Sequence, residues 1–158
     1  PSHLYLLMVL LIKMNYINKK EEINVNINII FQLINKVDDY RLFLPWCSDS
    51  RILSDDNKTM VAEIDISKNF VSWNFKTKNN YIINKKINLD LIDGPFSHLN
   101  GFWKFDIINE YNTIVELYLE YEFDSKIIEV SVKPIFSNIM SSILDSFISE
   151  AFRLKNEV

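Results

Sequence analysis

A chain of 158 residues that is 48% hydrophobic and 24% charged can bury one full core, which fits one compact domain and excludes a disordered chain. Its net charge of -4 and its scattered lysines argue against nucleic acid as the main partner, because phosphate binding needs a concentrated basic face. The single cysteine, Cys47, excludes an internal disulfide framework and a cysteine zinc cluster, and the two glycines leave little material for a phosphate-binding loop.

The chain opens with a continuous apolar run at residues 4–12, LYLLMVLLI. About 20 apolar residues are needed to cross a bilayer, so this run is too short to span one. Three interpretations fit it: an extra strand, the remnant of a targeting segment, or a piece that touches a membrane. The prediction for residues 1–20 is a poorly assigned apolar leader.

Six later segments alternate between apolar and polar residues with a period of two, which is typical of strands with one buried face. The first is INVNINI, in which four branched apolar residues alternate with three asparagines. The predicted strands are residues 23–29, 60–67, 71–78, 81–91, 103–107 and 113–124. Turn-forming residues at 55–57, 78–80 and 110–112 predict tight connections, so the strands should form an antiparallel meander with one face in water.

Two segments have helical spacing. Residues 29–37 place apolar side chains on one side of a short helix, and residues 127–154 do so over a long one. Pro134 should either begin the long helix or kink it, because proline lacks the amide hydrogen that an interior turn requires. A sheet with one apolar face must pack against this long apolar helix, and the two can enclose either a cavity or a solid core.

Residues 38–53, DDYRLFLPWCSDSRIL, fit neither period and therefore predict a junction. The short helix should end near Asp38, an aromatic turn should follow through residues 40–46, and a strand should begin near Ser50. Pro45 disfavours a helical conformation in the residue before it and so defines the turn. The aromatic residues of this segment would then be held together at one end of the sheet.

Four segments match a known family in order and spacing: residues 38–53, 93–105, 118–130 and 146–154. The first two contain the most specific residues. These are Tyr40, Phe43, Pro45, Trp46, Cys47 and Arg51, and then Gly94, Pro95, Phe96, Leu99, Trp103 and Phe105. Over residues 22–155 the chain resembles the coenzyme Q-binding protein family of the START-like, polyketide cyclase/dehydrase and lipid-transport superfamily.

The resemblance implies an α+β helix-grip fold, in which a curved antiparallel sheet wraps around a long C-terminal helix and encloses a lipid-sized cavity. It also implies that residues 21–156 form a START-like coenzyme Q-binding domain. Family members bind ubiquinone or its polyprenylated precursors and act as chaperones that support coenzyme Q synthesis and respiratory electron transport, without being catalysts. The chain departs from the family at residues 1–20, which align poorly, and at Asn26 and Asn28, where relatives begin the helix with Ser-Pro.

Ubiquinone or a related polyprenyl quinone is therefore the expected ligand, with peripheral membrane contact, no nucleic-acid partner and no catalytic cofactor. The expected location is the matrix side of the mitochondrial inner membrane, or the cytoplasm or membrane surface of a bacterium. Two alternatives stay open. A bacterial branch of the superfamily is described as a toxin that interferes with ribosome subunit association, and a polyketide cyclase would use the same cavity as an enzyme.

The sequence offers few residues for acid–base, nucleophilic or metal chemistry. Its two histidines are His3, in the leader, and His98, which is expected in a solvated turn. Cys47 follows an aromatic residue in apolar surroundings, so a buried, inert thiol is expected, with a redox role as the alternative. The prediction is a non-enzymatic protein without catalytic or metal-binding residues.

Candidate residues for the cavity lining come from the aromatic junction, the apolar face of the sheet and the long helix, although each could equally belong to a solid core. The set is Tyr40, Phe43, Pro45, Trp46, Trp73, Phe75, Leu89, Phe96, Trp103, Phe105, Ile139, Met140, Ile143 and Phe147. The expected hydrogen-bond donors to the quinone oxygens are Tyr40, Trp46, Trp103 and Arg51. Alternatively, Arg51 forms a surface ion pair with Asp49 or Asp39.

Overall fold

Strands dominate the part of the chain that the structure describes. The structure is a computed structural model that describes His3 and residues 14–157. The strands are β1 (Asn15–Ile23), β2 (Cys47–Asp55), β3 (Thr59–Lys68), β4 (Val71–Ile82), β5 (Lys86–Asp93), β6 (Phe96–Asn109) and β7 (Asn112–Phe123). The helices are α1 (Ile27–Asn35), α2 (Tyr40–Phe43) and α3 (Lys126–Asn156), with a 3₁₀ turn at Val37–Asp39. The apolar run at residues 4–12 lies outside the described residues.

One antiparallel sheet contains all of these strands, in the order β1-β7-β6-β5-β4-β3-β2. β2 to β7 follow one another as a meander, whereas β1 pairs with β7 and forms the other edge. α3 lies across the apolar face of the sheet and packs mainly against α1, β7 and β1. The predicted α+β helix-grip fold, a curved antiparallel sheet around one long C-terminal helix, is confirmed.

β7 shows most clearly why this sequence forms a sheet. Its residues alternate strictly between half-buried and buried positions along the whole strand. A slip of one residue in its pairing would move the entire apolar set into water, so the register is strongly specified. The buried face even includes a polar residue, Thr113, whose hydroxyl donates to the Val25 carbonyl oxygen at 2.8 Å.

The strand predicted at residues 23–29 is wrong. β1 ends at Ile23, and α1 begins at Ile27. Asn26 is the reason, because its side chain accepts a hydrogen bond from the Asn28 amide at 2.9 Å and caps the helix. The alternating apolar residues of this segment are therefore divided between a strand end and the first turn of a helix.

The strand predicted at residues 81–91 is in fact parts of two strands. Ile82 ends β4 and Lys86 begins β5. Asn84, between them, adopts a φ of 62°, a conformation that asparagine tolerates better than most residues. The turn predicted at residues 78–80 is also wrong, since those residues stay in the ladder between β4 and β5.

Other boundaries differ less from the predictions. The turns expected at residues 55–57 and 110–112 are confirmed as the β2–β3 and β6–β7 connections. α1 confirms the predicted short helix, although it starts two residues earlier. β2 begins at Cys47 rather than Ser50, and residues 15–20, predicted as part of the leader, belong to β1.

α3 begins well before Pro134, so the proline does not start the helix as one interpretation held. Ser125 caps α3 instead by accepting a hydrogen bond from the Ile128 amide at 3.2 Å. Inside the helix, Pro134 leaves the Val130 carbonyl oxygen without its usual amide partner. α3 is long and apolar enough to cross a membrane by length and composition, but in this fold its inner side is buried in the core.

β6 and β7 approach each other too closely at Gly101 for any side chain. A Cβ atom at this position would lie 1.9 Å from the Tyr118 carbonyl oxygen and 2.9 Å from the Leu119 Cα atom. Both atoms belong to the backbone of β7, so they cannot rotate away as the end of a flexible side chain could. Glycine is therefore required here for steric reasons.

Candidate functional site

A cavity of about 100 Å³ lies between α3 and the middle of the sheet. Its wall is almost entirely apolar. The described lining residues are Val37, Tyr40, Trp46, Ala62, Ile64, Ile66, Phe75, Thr77, Asn79, Leu89, Leu99, Trp103, Leu117, Leu119, Phe136, Met140, Ile143 and Phe147. Pockets for ligands of drug size usually measure about 300–1,000 Å³. The lipid-sized cavity that the family resemblance implied is therefore not open in this conformation.

Eight of the predicted site residues line this cavity. They are Tyr40, Trp46, Phe75, Leu89, Trp103, Met140, Ile143 and Phe147. The strand residues meet there because alternate positions of a strand point to the same face, and the α3 residues meet there because they are spaced by about one helical turn. The fold thus brings together residues that are as far apart in the sequence as Tyr40 and Phe147.

Four other predicted site residues lie beside the lining without forming part of it. Ile139 is fully buried on α3, and Phe43 packs behind the lining, with its ring centroid 5.7 Å from that of Phe147. Pro45 is exposed. Trp73 is half-buried on β4, opposite the lining residue Ile66.

The last two predicted site residues belong to aromatic clusters at the borders of the cavity. Phe105 packs against Phe31 of α1, with ring centroids 5.2 Å apart. Phe96 stacks on Phe123 and makes an edge contact with Phe136, both at 5.1 Å. Phe96 and Phe105 therefore pack around the cavity, whereas Phe136 is itself part of its lining.

Thr77 and Asn79 form a polar pair in the cavity wall that the sequence analysis did not single out as a site. The Thr77 hydroxyl donates to Asn79 Oδ1 at 2.7 Å, and both residues are buried. With its oxygen engaged, Asn79 has its amide hydrogens to offer a ligand. The period of two places both residues on the same face as Phe75, but only the fold shows that this face borders a cavity.

Trp46 lines the cavity and has a buried side-chain donor that makes no hydrogen bond within the part of the chain that the structure describes. The residue is 7% exposed, and its indole Nε1–H has no hydrogen-bond partner among the described residues. Its backbone is held in place, because the Ser67 amide donates to the Trp46 carbonyl oxygen at 2.9 Å. A buried donor without a partner costs about 1–3 kcal/mol, and an acceptor oxygen of a ligand would remove that cost.

Tyr40 was an expected donor to the ligand, but its hydroxyl is already engaged. It donates to the Ile34 carbonyl oxygen, and its ring lies 5.1 Å from that of Phe147. Burial raises the pKa of Tyr40 far above its usual range, with a smaller contribution from Cys47, so the phenol stays neutral. Tyr40 therefore joins α1, α2 and α3 and does not direct its hydroxyl to a ligand.

Arg51, also an expected donor, lies on the outer face of the sheet and not at the cavity. It contacts the carboxylates of Asp49 at 3.0 Å and Asp65 at 3.1 Å, and it pairs with Glu63. The hydrogen bond from Arg51 lowers the pKa of the Glu63 carboxyl. Of the two predicted ion-pair partners of Arg51, Asp49 is confirmed. Asp39 instead pairs with Lys36, the residue that follows α1.

His98 lies in β6 and not in a turn, which corrects the sequence prediction. Its Nε2 atom lies 3.1 Å from Glu120 Oε1 on the neighbouring strand. Glu120 also accepts a hydrogen bond from the Tyr118 hydroxyl at 3.2 Å. His98 is half-buried on the outer face of the sheet and is not among the residues that line the cavity.

Cys47 is buried at the start of β2, and its Sγ atom lies 3.2 Å from the Asp49 carbonyl oxygen. Burial raises the pKa of the Cys47 thiol to about 11; the Asp49 and Asp65 carboxylates act in the same direction, and a hydrogen bond with Ser50 opposes them. This geometry fits the inert thiol that the sequence predicts.

We expect folded Cys47 to react with iodoacetamide at pH 8 on the order of 100-fold more slowly than a free cysteine, because the thiolate is the nucleophile and a pKa of about 11 makes it scarce. Mass spectrometry of timed samples would measure the rate. The urea-unfolded protein is the control, and it should react like free cysteine. Equal rates in the folded and unfolded states would contradict the assignment.

With the cavity defined, comparison with known proteins identifies the family. The family model for polyketide cyclase / dehydrase and lipid transport matches residues 23–148. The chain belongs to this family. The match includes every described residue of the cavity lining, from Val37 to Phe147.

The chain is similar both to ribosome association toxins and to a coenzyme Q-binding protein. The ribosome association toxin of Vibrio cholerae is 39% identical over 128 residues, 81% of this chain and 89% of that protein. The ribosome association toxin of Escherichia coli is 36% identical over 118 residues, 75% of each protein. The mitochondrial coenzyme Q-binding protein of Dictyostelium discoideum is 29% identical over 131 residues, 80% of this chain and 64% of that protein.

Solved structures agree on the fold. The Zhui aromatase/cyclase from a Streptomyces species superposes with a TM-score of 0.78 at 12% identity, covering 89% of this chain and 94% of that one. A START superfamily protein from Mycobacterium smegmatis gives 0.74 at 16% identity, covering 88% and 98%. At these identities the likeness shows the fold alone. The predicted resemblance to the polyketide cyclase/dehydrase and lipid-transport superfamily is confirmed by the family match over residues 23–148.

Proposed function

We propose that this chain is a non-enzymatic carrier for a polyprenyl quinone of the ubiquinone class, held between α3 and the sheet. The observation that carries the proposal is Trp46, whose buried indole N–H has no partner among the described residues and which lines an apolar cavity. A quinone offers acceptor oxygens to this donor and an apolar ring and tail to the walls. The coenzyme Q-binding relative of Dictyostelium discoideum supports the same class of ligand.

The polar pair in β4 supports a quinone over a plain hydrocarbon. Asn79 adds a second set of donor hydrogens in the wall, separate in sequence from Trp46. A quinone ring has acceptor oxygens on opposite edges, so it can meet two separate donors, whereas a hydrocarbon would leave both without a partner. An oxygenated ring with an apolar tail therefore suits this cavity best.

The chemistry of the lining favours binding over catalysis. Among the described residues that line the cavity, Tyr40 alone has a titratable side chain, and its hydroxyl donates to the Ile34 carbonyl oxygen. General acid–base work needs a group that titrates near the operating pH, whereas burial raises the pKa of Tyr40 far above its usual range. We therefore infer a carrier rather than a cyclase.

Loading a quinone must widen the cavity. A cavity of about 150 Å³ is large enough for a benzene-sized ring, so the roughly 100 Å³ present here leaves no room for a polyprenyl tail. In the proposed mechanism, α3 or a neighbouring loop shifts at a bilayer and the tail slides between helix and sheet. Burial of the isoprenoid carbons then supplies the affinity, at about 25 cal/mol per Å² of apolar surface.

We expect Trp46→Phe to bind a short-chain ubiquinone about tenfold more weakly, because one hydrogen bond to the ring is lost. The free energy of unfolding of the ligand-free variant should be unchanged or slightly higher, since an unsatisfied buried N–H has been removed. Isothermal titration calorimetry measures the affinity, and urea unfolding measures the stability. If Trp46 only packs in the core, Trp46→Phe should not lower the quinone affinity while leaving the free energy of unfolding unchanged or higher.

Trp73 provides a matched control. Its indole N–H also has no partner among the described residues, but Trp73 is not among the residues that line the cavity. Trp73→Phe should change the quinone affinity by less than about twofold. Similar losses in both variants would contradict the assignment of Trp46. Absence of quinone binding by the wild type, together with no quinone or precursor in the copurified lipids, would contradict the carrier function as a whole.

Association with a ribosomal subunit is a second candidate function. It is favoured by the relatives at 36% and 39% identity that are named ribosome association toxins. Ala62, which is buried and lines the cavity, allows a test that separates the two candidates. Ala62→Leu should fill part of the cavity and abolish quinone binding. If ribosome association is independent of the cavity, this variant should still cosediment with ribosomal subunits in a sucrose gradient.

A further inference from the structure

One end of the cavity is closed by α1. Phe31 of this helix packs against Phe105 and Tyr81, with ring centroids 5.2 Å and 6.4 Å apart. Asn26 donates to the Glu110 carbonyl oxygen at 2.7 Å, and Asn28 accepts from a turn asparagine at 2.7 Å, so the start of α1 is fastened to two hairpin turns. A lipid could not pass here without displacing the helix.

A second border is closed by aromatic rings where β5 meets β6. Phe96 packs against Phe123 and Phe136 with ring centroids 5.1 Å apart, and against Phe75 at 5.9 Å. Because Phe136 belongs to α3, these contacts join the helix to the sheet across this border. Lipid exchange through it would have to separate several packed rings at once.

The border at the β3–β4 hairpin is less covered. On the inner face of β4, Val71, Trp73 and Phe75 are half-buried, whereas Thr77 and Asn79 are buried. Burial therefore increases along β4 from the hairpin toward α1. This gradient places the least covered side of the cavity at the hairpin.

Among the described residues, one hydrogen bond joins this hairpin to α3, and it is exposed to solvent. Lys68 Nζ, at the end of β3, donates to Asn138 Oδ1 of α3 at 2.6 Å. An exposed hydrogen bond of this kind is readily exchanged for water. Opening the cavity on this side would therefore break little structure.

The tip of the hairpin presents an aromatic ring to water. Phe70 has a relative exposure of 111%, as much as in an extended chain. Asn69 and Phe70 have φ values of 52° and 67°, and a positive φ is uncommon for a bulky residue such as phenylalanine. The backbone thus holds an apolar ring away from the core in an unfavourable conformation.

Exposed apolar side chains of two helices lie at the same end of the sheet as this hairpin tip. Leu42 of α2 is exposed. The loop that follows α2 is held next to the end of β3, because the Ser67 amide donates to the Trp46 carbonyl oxygen at 2.9 Å.

Ile127 and Val130 are exposed on the first turns of α3. This helix starts at the same end of the sheet, because the Asp124 amide donates to the Pro95 carbonyl oxygen of the β5–β6 turn at 3.1 Å. We call the set Leu42, Phe70, Ile127 and Val130 the apolar rim.

The charge of the hairpin is opposite to that of the whole chain. Residues 66–80 contain three lysines and no acidic residue, although the net charge of the chain is -4. Lys76 pairs with Glu63 at 3.8 Å, whereas Lys68 and Lys78 have no carboxylate partner among the described residues. Lys68, near the tip, has a neutral partner in α3. An aromatic tip flanked by lysine is typical of segments that lie at the interface of a membrane with anionic lipids.

We propose that the apolar rim docks on an anionic phospholipid bilayer, with Phe70 inserted at the interface, so that the least covered side of the cavity faces the membrane. This inference rests on the proposed function, because a quinone carrier must exchange its ligand with a bilayer. An RNA surface would also attract the lysines, but it would leave Leu42, Ile127 and Val130 in water. The apolar rim therefore favours the bilayer.

Cosedimentation with phosphatidylcholine vesicles that contain about 30% phosphatidylglycerol tests the docking surface. The wild type should bind, and Phe70→Ser should weaken binding about tenfold because the inserted ring is lost. Ile83→Ser is the matched control, since Ile83 is an exposed apolar turn residue at the β4–β5 turn, on the end closed by α1. It should change vesicle binding by less than about twofold.

Each other outcome overturns the docking proposal: an equal loss in both variants, a loss in Ile83→Ser alone, or no effect of Phe70→Ser. Phe70→Ser could also weaken binding to single-stranded RNA and leave vesicle binding unchanged. That result would assign the hairpin to nucleic-acid binding instead. Calorimetry with short-chain ubiquinone in vesicle-free buffer separates the two proposals. Phe70→Ser should bind the quinone with the same affinity as the wild type. If the wild type docks on vesicles through Phe70 but binds no quinone, the carrier function is contradicted and the docking surface is not.

Discussion

Replacing Phe147 by alanine should lower the free energy of unfolding by about 3–5 kcal/mol, the range measured when a buried aromatic side chain is deleted. Phe147 is 1% exposed, and its ring lies 5.1 Å from Tyr40, 5.7 Å from Phe43 and 5.6 Å from Trp103. It therefore joins α3 to α2 and to β6. The space left by its ring would merge with the existing cavity, which the surrounding backbone cannot fill.

Phe152, on the same helix, is the matched control. It is 37% exposed, so Phe152→Ala should cost less than about 1 kcal/mol. Urea unfolding followed by circular dichroism would measure both variants. A loss at Phe147 no larger than the loss at Phe152 would mean that α3 is not packed against the aromatic junction as described.

Replacing Gly101 by alanine should destabilise the protein by about 3 kcal/mol, at the upper end of the range for overpacking. The reason is the 1.9 Å between the added Cβ and the Tyr118 carbonyl oxygen, which can be relieved only by moving the backbone of β6 or β7. That movement would strain the strand pair at the centre of the cavity floor. Thermal unfolding should show the loss as a lower Tm.

Ser97→Ala tests whether the effect of Gly101→Ala is steric. Ser97 is exposed on the same strand, and its hydroxyl makes only long contacts, at 3.4 Å and 3.5 Å, with β7 carbonyl oxygens. Its replacement should change the free energy of unfolding by less than about 0.5 kcal/mol. If Gly101→Ala were equally harmless, the close approach of β6 and β7 at this position would be refuted.

The sheet was predictable from the sequence wherever one strand face is buried along its whole length. β7 is the best example, because its alternation is unbroken over the strand. The same reasoning failed at residues 23–29, where the alternation of isoleucine and asparagine looks like a strand. Capping by Asn26 decided the outcome there, and a local hydrogen bond of this kind is not visible as a period in the sequence.

The family motifs predicted the fold more reliably than they predicted the site. Trp46 and Trp103 come from those motifs and line the cavity, whereas Pro45, Phe96 and Phe105 come from the same motifs and do not. A motif records which residues accompany a fold, and it does not separate residues that line a cavity from those that pack around it. Burial and ring contacts make that distinction.

The sequence by itself determined the fold class of this protein: an antiparallel sheet with one wet face and a long apolar C-terminal helix. These features depend on local periodicity and composition, which can be read from neighbouring residues. Only the tertiary structure decided that Thr77 and Asn79 border a cavity, that the Trp46 N–H lacks a partner, and that Phe70 stands in water. Each of these depends on which distant residues come close to a side chain, and packing between elements decides that.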